Sequence, residues 1–165
     1  MTPEERKSFI TKATNGLEEQ RDKMEGVSFF VNKKRIHLEP RLEAYLSVPD
    51  NSRVYLRVNP TYYGDDWVFY DSIKVMADDK VVYERDMQRK DVVRDNSGGS
   101  VWEVGDYLGG QPDIQALRTI AASSSATIRF SGSERRHDHN ITKQERKNIQ
   151  EILDVYDALA KKIGA

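Results

Sequence analysis

Two neighbouring stretches alternate between apolar and polar residues with a strict period of two. Between residues 42 and 48, Leu42, Ala44, Leu46 and Val48 alternate with Glu43, Tyr45 and Ser47; between 53 and 58, Val54, Leu56 and Val58 alternate with Arg53, Tyr55 and Arg57. Successive side chains of a strand point to opposite faces, so this pattern specifies a sheet with one buried face and excludes a helix over the same residues. Pro49-Asp50-Asn51-Ser52 supplies turn chemistry between the two runs, which makes them antiparallel neighbours.

The same reasoning divides the rest of the chain. Thr2, Pro3 and Glu5 form a capping-box signature, and Phe9, Ile10, Ala13, Leu17 and Met24 follow near one helical face, so residues 1–26 are expected to be an N-terminal helix ending at Gly26. Residues 27–165 are expected to form a single domain. Val27–Val31 reads as a strand, Asn32-Lys33-Lys34 as a turn, and Ile36–Glu39 as a returning partner. Asn59–Asp66 reads as a loop with Pro60 and Gly64, and Trp67–Met76 as the longest strand, with Trp67 and Phe69 in the core. Asp78-Asp79 turns that strand into Lys80–Glu84 as a hairpin. Asp95–Ser100 reads as a flexible loop before the strand Val101–Val104. Gln111–Ser125 returns to helical spacing, Ala126–Ser131 is a strand, and the Thr142/Glu145 capping box opens a last helix with its stop at Gly164. Consecutive strands framed by helices make the fold class α+β: a curved antiparallel sheet or small β-sandwich with N-terminal, internal and C-terminal helices.

Composition narrows the function. The 165 residues carry 26 Lys plus Arg against 27 Asp plus Glu, a formal charge of −1, without the basic excess of a dedicated nucleic-acid binder. No run of about 18 apolar residues offers a membrane-spanning helix. With no cysteine, the chain has no disulfide, thiolate ligand or cysteine nucleophile. The segment after Met1 is charged at once and has no signal-peptide core, which leaves a cytoplasmic location open. Nothing in the sequence calls for a cofactor: Gly98-Gly99 lacks the Gly-Lys-Ser/Thr ending of a phosphate loop, and no serine sits in a nucleophile elbow or a Ser-x-x-Lys motif.

Three groups of residues invite a chemical reading. In an extended segment His137 and His139 point the same way and can hold zinc or another transition metal, with Glu134 or His37 as third ligand; the plainer reading is a solvated loop beside Arg135 and Arg136. The pairs Asp65-Asp66 and Asp78-Asp79 are short of a calcium loop and suit turns. Aromatics around residues 62–70 can anchor a ligand or partner, or simply close the core. The candidate binding surface is Tyr62, Tyr63, Trp67, Asn96 and Trp102. Arg129 is expected to form a buried or half-buried ion pair with Glu103 or Asp71.

Tyr63–Phe69, Arg94–Glu103 and Ile120–Gly132, together with Asp138, Ile141-Thr142 and the final helix to Tyr156, resemble a group of bacterial cell-envelope and lipoprotein-type domains of unknown function. The chain differs from that pattern at Arg135 and Arg136, where an aromatic is expected, and in carrying His137 and His139. The resemblance implies an exported, periplasmic or otherwise envelope-located domain and no reaction. It leads to a non-enzymatic binding module with an unidentified ligand. The rival expectations are a hydrolase using carboxylates or a His137/His139 metal, and a purely structural spacer.

Overall fold

The computed structural model describes residues Met1–Ala165. Helix α1 (Pro3–Ala13) leads into strands β1 (Leu17–Asp22), β2 (Val27–Asn32), β3 (Arg41–Pro49) and β4 (Tyr55–Gly64). These are followed by β5 (Ser72–Ala77), β6 (Lys80–Asp86), β7 (Val92–Ser97), β8 (Ser100–Gly105) and β9 (Tyr107–Leu108). The chain closes with α2 (Gln111–Ala122), β10 (Ala126–Ser131), β11 (Arg136–Asn140) and α3 (Lys143–Ile163). The fold is α+β, with the strands in two antiparallel sheets. The larger runs β1-β2-β3-β4-β8-β7, with β9 also on β4; the smaller runs β11-β10-β5-β6. No helix is long and apolar enough to cross a membrane.

The alternating stretches behave as their period demands. Leu42, Ala44, Leu46 and Val48 are buried, and so are Val54, Leu56 and Val58; in the ladder Leu46 lies opposite Leu56 and Ala44 opposite Val58. This inner face packs with Ile73, Val75, Ile128 and Phe130 of the smaller sheet, and with α2 and α3, into one core. The α3 capping box forms as read. Thr142 Oγ1 accepts the Glu145 N–H at 3.1 Å, and Glu145 Oε2 accepts the Thr142 N–H at 2.6 Å. Glu145 Oε1 also accepts the Leu42 N–H at 3.0 Å, which ties the helix start to β3.

Several expectations are overturned by long-range pairing. The N-terminal helix stops at Ala13, not Gly26. Leu17–Asp22 has good helix formers but pairs with β2, and Met24 lies on the hairpin turn, 97% exposed. The partners of β2 are β1 and β3; Ile36–Glu39 belongs to a connecting loop in which Leu38 has φ +59°. Asn59–Gly64 is strand, not loop. Pro60 is tolerated because the β4 registers put it opposite Gly105, where β8 gives way to β9 and the ladder is already interrupted. Gly105 is required there, since a Cβ would collide with the Tyr70 hydroxyl and the Pro60 carbonyl. Asp95–Ser100 is the tight end of the β7/β8 hairpin, with Gly98 and Gly99 at φ +59° and +86° as a two-residue turn requires.

The segment before β5 departs most from its reading. Val68 and Tyr70 are buried while Phe69 is 58% exposed, so the parity is reversed and no strand begins until Ser72. The cause is Glu103, fully buried on β8. Its carboxylate accepts the N–H groups of Val68, Phe69 and Tyr70 at 2.8, 3.0 and 2.9 Å. A strand points successive N–H groups to opposite sides, so three in a row reach one acceptor only if the chain coils, and Phe69 takes φ +52°. Arg94 Nε completes the set at 2.9 Å, and its Nη2 donates to the Tyr70 carbonyl at 2.6 Å. Arg94 is therefore the partner of Glu103. Arg129 lies in the smaller sheet and pairs with Asp138 across β10 and β11 at 2.6 Å, half-exposed rather than buried.

Removing a buried acceptor leaves its donors uncompensated. Glu103→Gln is expected to cost about 3 kcal/mol, lowering the melting temperature by roughly 6–12 °C for a chain of this size. Urea unfolding followed by circular dichroism measures it, and a change within ~0.5 kcal/mol would show that this carboxylate does not hold the segment.

Candidate functional site

The five candidate binding residues do not form one surface. Tyr63 and Trp102 face each other across β4 and β8, half-buried, with rings within 8° of parallel and centroids 6.4 Å apart. Tyr62 has the opposite parity and is buried: its hydroxyl donates to the Asp66 carbonyl at 2.8 Å and its ring lies edge-on to Phe130. Trp67 stacks on Phe69 at 5.4 Å, and Asn96 is exposed at the tip of β7 opposite Val101.

His137 and His139 share one side of β11, but each is already engaged. His139 Nε2 lies 2.9 Å from Glu145 Oε2, and the His137 ring packs edge-on to Tyr62 at 5.2 Å. No group of three His, Asp or Glu side chains is arranged to hold a metal ion, so neither Glu134 nor His37 completes the set. Burial would raise the Glu145 carboxyl, but hydrogen bonds from His139, Thr142 and Leu42 hold it below the usual carboxylate range. Asp66 pairs with Arg135, and Asp78 Oδ1 accepts the Ser124 and Ser125 N–H groups, so these acids serve the turns.

A groove of about 320 Å³ lies on the outer face of the larger sheet, away from the core. The register explains its composition. Residues paired across a sheet share a face, and the pairs Tyr45–Arg57 and Glu43–Asn59 both point outward. Phe29 and Val31 of β2 bring apolar surface to the same side, and Val104 closes the floor from β8. The Phe29 and Tyr45 rings meet edge-on at 6.2 Å. Asp106, beyond the end of β8, accepts the Tyr45 hydroxyl at 2.6 Å and Arg57 Nε at 2.8 Å. Burial, together with the Asp106 carboxylate, pushes the Tyr45 hydroxyl well above its usual value, so it stays a donor.

Glu43 is the unusual group here. Its side chain is 15% exposed and lies 2.7 Å from Arg41 Nε, but without hydrogen-bond geometry: Glu43 Oε1, Arg41 Nε and the neighbouring Thr61 Oγ1 are all buried with no hydrogen-bond partner. Burial raises the Glu43 carboxyl above the usual range, against the opposing pull of the Arg41 and Arg35 guanidinium groups. Arg35 lines the groove and forms no ion pair. The arrangement offers an apolar floor, a carboxyl that keeps its proton to higher pH than normal, and a free guanidinium.

Sequence reasoning passed over Glu43 and Tyr45 as the solvent-facing half of an alternating strand. The available signal was the run Val27–Val31, apolar at both parities, which places apolar side chains on the outer face as well as the inner one. Comparison of the chain with protein-family models, with curated proteins and with solved structures finds no match. The fold and groove thus define an α+β protein with a sheet-floored pocket carrying one enclosed carboxyl.

The raised carboxyl has a definite sign in stability. Native Glu43 binds its proton more tightly than the unfolded chain does, so its contribution is fully present below about pH 4.5 and is lost as pH rises through the raised native value. Glu43→Gln removes that dependence. Its stability relative to the native chain should therefore climb through this window and level off above it, as read by urea unfolding between about pH 4 and 8. A difference constant with pH would mean that Glu43 titrates as an ordinary exposed carboxyl.

Proposed function

We propose that this protein is a non-enzymatic binding module that holds a small polar ligand in the outer groove. The observation that carries this reading is the enclosed Glu43 oxygen without a hydrogen-bond partner, beside an apolar floor. An unsatisfied buried polar atom costs about 1–3 kcal/mol, and a ligand donor placed on it recovers much of that cost. Small-molecule sites combine apolar walls with convergent polar groups; here Phe29, Val31 and Val104 supply the first and Glu43, Arg35 and Asn59 the second. The ligand offers a donor to Glu43, an acceptor or negative charge to Arg35, and a ring or apolar body to Phe29. The resemblance to envelope domains supports an envelope location, which fractionation of cells making the protein would test directly. A structural spacer has no use for a buried carboxyl oxygen left without a hydrogen-bond donor.

One observation favours a second reading, a carboxylate hydrolase. Glu43 and Asp106 flank Asn59 on the same face, with backbones two strand spacings or about 9–10 Å apart. Inverting glycosidases separate their acid and base by ~6.5–9.5 Å. A Glu43 carboxyl raised by burial suits the acid role, but Asp106 is spent on Tyr45 and Arg57, so binding is the stronger reading.

An NMR titration with mono- and disaccharides, amino acids and small carboxylates separates the two. Binding is expected to move the Phe29, Val31, Tyr45 and Val104 signals, with affinity about tenfold weaker in Glu43→Gln. No hydrolysis of the bound compounds should follow. Turnover abolished by Glu43→Gln would establish the hydrolase, and no shifts at these residues with any of the compounds would remove the groove as the site.

A further inference from the structure

The outer groove carries a charge that its ion pairs leave over. Glu43 lies 2.7 Å from Arg41 Nε and Asp106 lies 2.8 Å from Arg57 Nε, so each acid at the groove already faces one guanidinium. Arg35 is the third guanidinium. It stands half-buried at the groove wall, forms no ion pair, and acts on Glu43 only through its field. The groups just outside preserve this surplus, because exposed Glu18 and Glu39 are matched in number by exposed Lys33 and Lys34. The groove therefore keeps one uncompensated positive charge, and a proton on Glu43 would only add to it.

That surplus selects among ligands. A guanidinium presents its N–H groups as a fixed fork that matches a carboxylate with two parallel hydrogen bonds. A ligand ammonium fares worse. At Glu43 it would be the third cation around one carboxyl, after Arg41 and Arg35, and Asp106 is already taken by Arg57 and the Tyr45 hydroxyl. A neutral hydroxyl carries no such repulsion and still donates to Glu43. The apolar surface on offer is specific too. Val31 and Ala44 are buried beneath the groove, whereas Phe29, Tyr45 and Val104 are half-buried and present theirs. The Phe29 and Tyr45 rings meet edge-on, an arrangement that a third ring can extend. The volume of about 320 Å³ is at the low end of the ~300–1,000 Å³ of small-molecule sites, room for one ring and its substituents.

We propose that the outer groove takes a small aromatic monocarboxylate with a neutral donor, of which an aryl-substituted 2-hydroxy acid is the simplest. The carboxylate meets Arg35, the hydroxyl donates to Glu43, and the ring lies against Phe29, Tyr45 and Val104. The assignment rests on the groove being the ligand site, and adds to it the ligand's charge, donor and ring.

Calorimetric titration of the full chain with 3-phenyllactate tests the proposal. Three relatives each change one group: 3-phenylpropane-1,2-diol replaces the carboxylate, phenylalanine replaces the hydroxyl with an ammonium, and lactate lacks the ring. Phenyllactate should bind one-to-one and saturably, with NMR shifts at Phe29, Tyr45 and Val104. The diol should bind about tenfold more weakly, through loss of the charge-assisted hydrogen bonds. Phenylalanine should be weaker by about fivefold and lactate by about tenfold. Arg35→Gln should weaken phenyllactate about tenfold while leaving the diol and the melting temperature unchanged, since Arg35 holds no ion pair in the protein. The proposal is overturned by equal affinity for the diol, phenylalanine or lactate, or by an unaffected Arg35→Gln. If saccharides move the Phe29 and Tyr45 signals and phenyllactate does not, the groove stands as the site and the anion assignment fails. If no compound moves them, both fail.

Discussion

Glu103 has no exposed surface, yet four donors converge on its carboxylate: three consecutive backbone N–H groups and the Arg94 guanidinium. A buried ionised carboxyl without such partners would be prohibitively expensive. With them it becomes the joint between the two sheets, because the N–H groups it holds belong to the segment that leaves β4 and enters β5. The coil this imposes turns Val68 and Tyr70 inward, and the Tyr70 hydroxyl then reaches the Pro60 carbonyl at 2.7 Å beside Gly105. The smaller sheet is thus set against the larger one by polar contacts at the edge of an otherwise apolar core.

The same device recurs. Glu145 gathers the Leu42 and Thr142 N–H groups and His139, which joins α3 to β3 and β11. Asp113 accepts the Tyr83 hydroxyl at 2.5 Å and the Gly110 N–H at 2.8 Å, which joins α2 to β6. In each case a carboxylate on one element takes up N–H or hydroxyl groups of another element. Glu43 lacks such a set. Its contrast with the satisfied carboxylates is what makes the outer groove a candidate for a ligand, and Asp106 shows the satisfied alternative on the same face.

Much of the fold was legible in local pattern. Strict alternation at 42–48 and 53–58, the Asp78-Asp79 hairpin, the strand at 126–131 and the Thr142/Glu145 box all correspond to real elements, because each is decided by neighbours in sequence. The misreadings share one origin. Residues 17–22 have no local reason to leave a helix; β2 supplies it by pairing. Trp67–Tyr70 has no local reason to coil; Glu103, more than 30 residues on, supplies it. Of the candidate surface, Tyr63 and Trp102 came together through register, while Tyr62 turned inward with the parity of β4.

By itself the amino-acid sequence determined the period of each element, the turn chemistry between them and hence the α+β class, since these depend on side-chain spacing and local backbone preference. Only the tertiary structure decided which polar groups are buried, and whether each has a partner. Glu43 and Glu103 are both glutamates in alternating strands, with nothing local to distinguish them. One meets four donors across the core and the other no hydrogen-bond donor at the edge of a groove, because hydrogen-bond satisfaction depends on which distant backbone folding brings within about 3 Å.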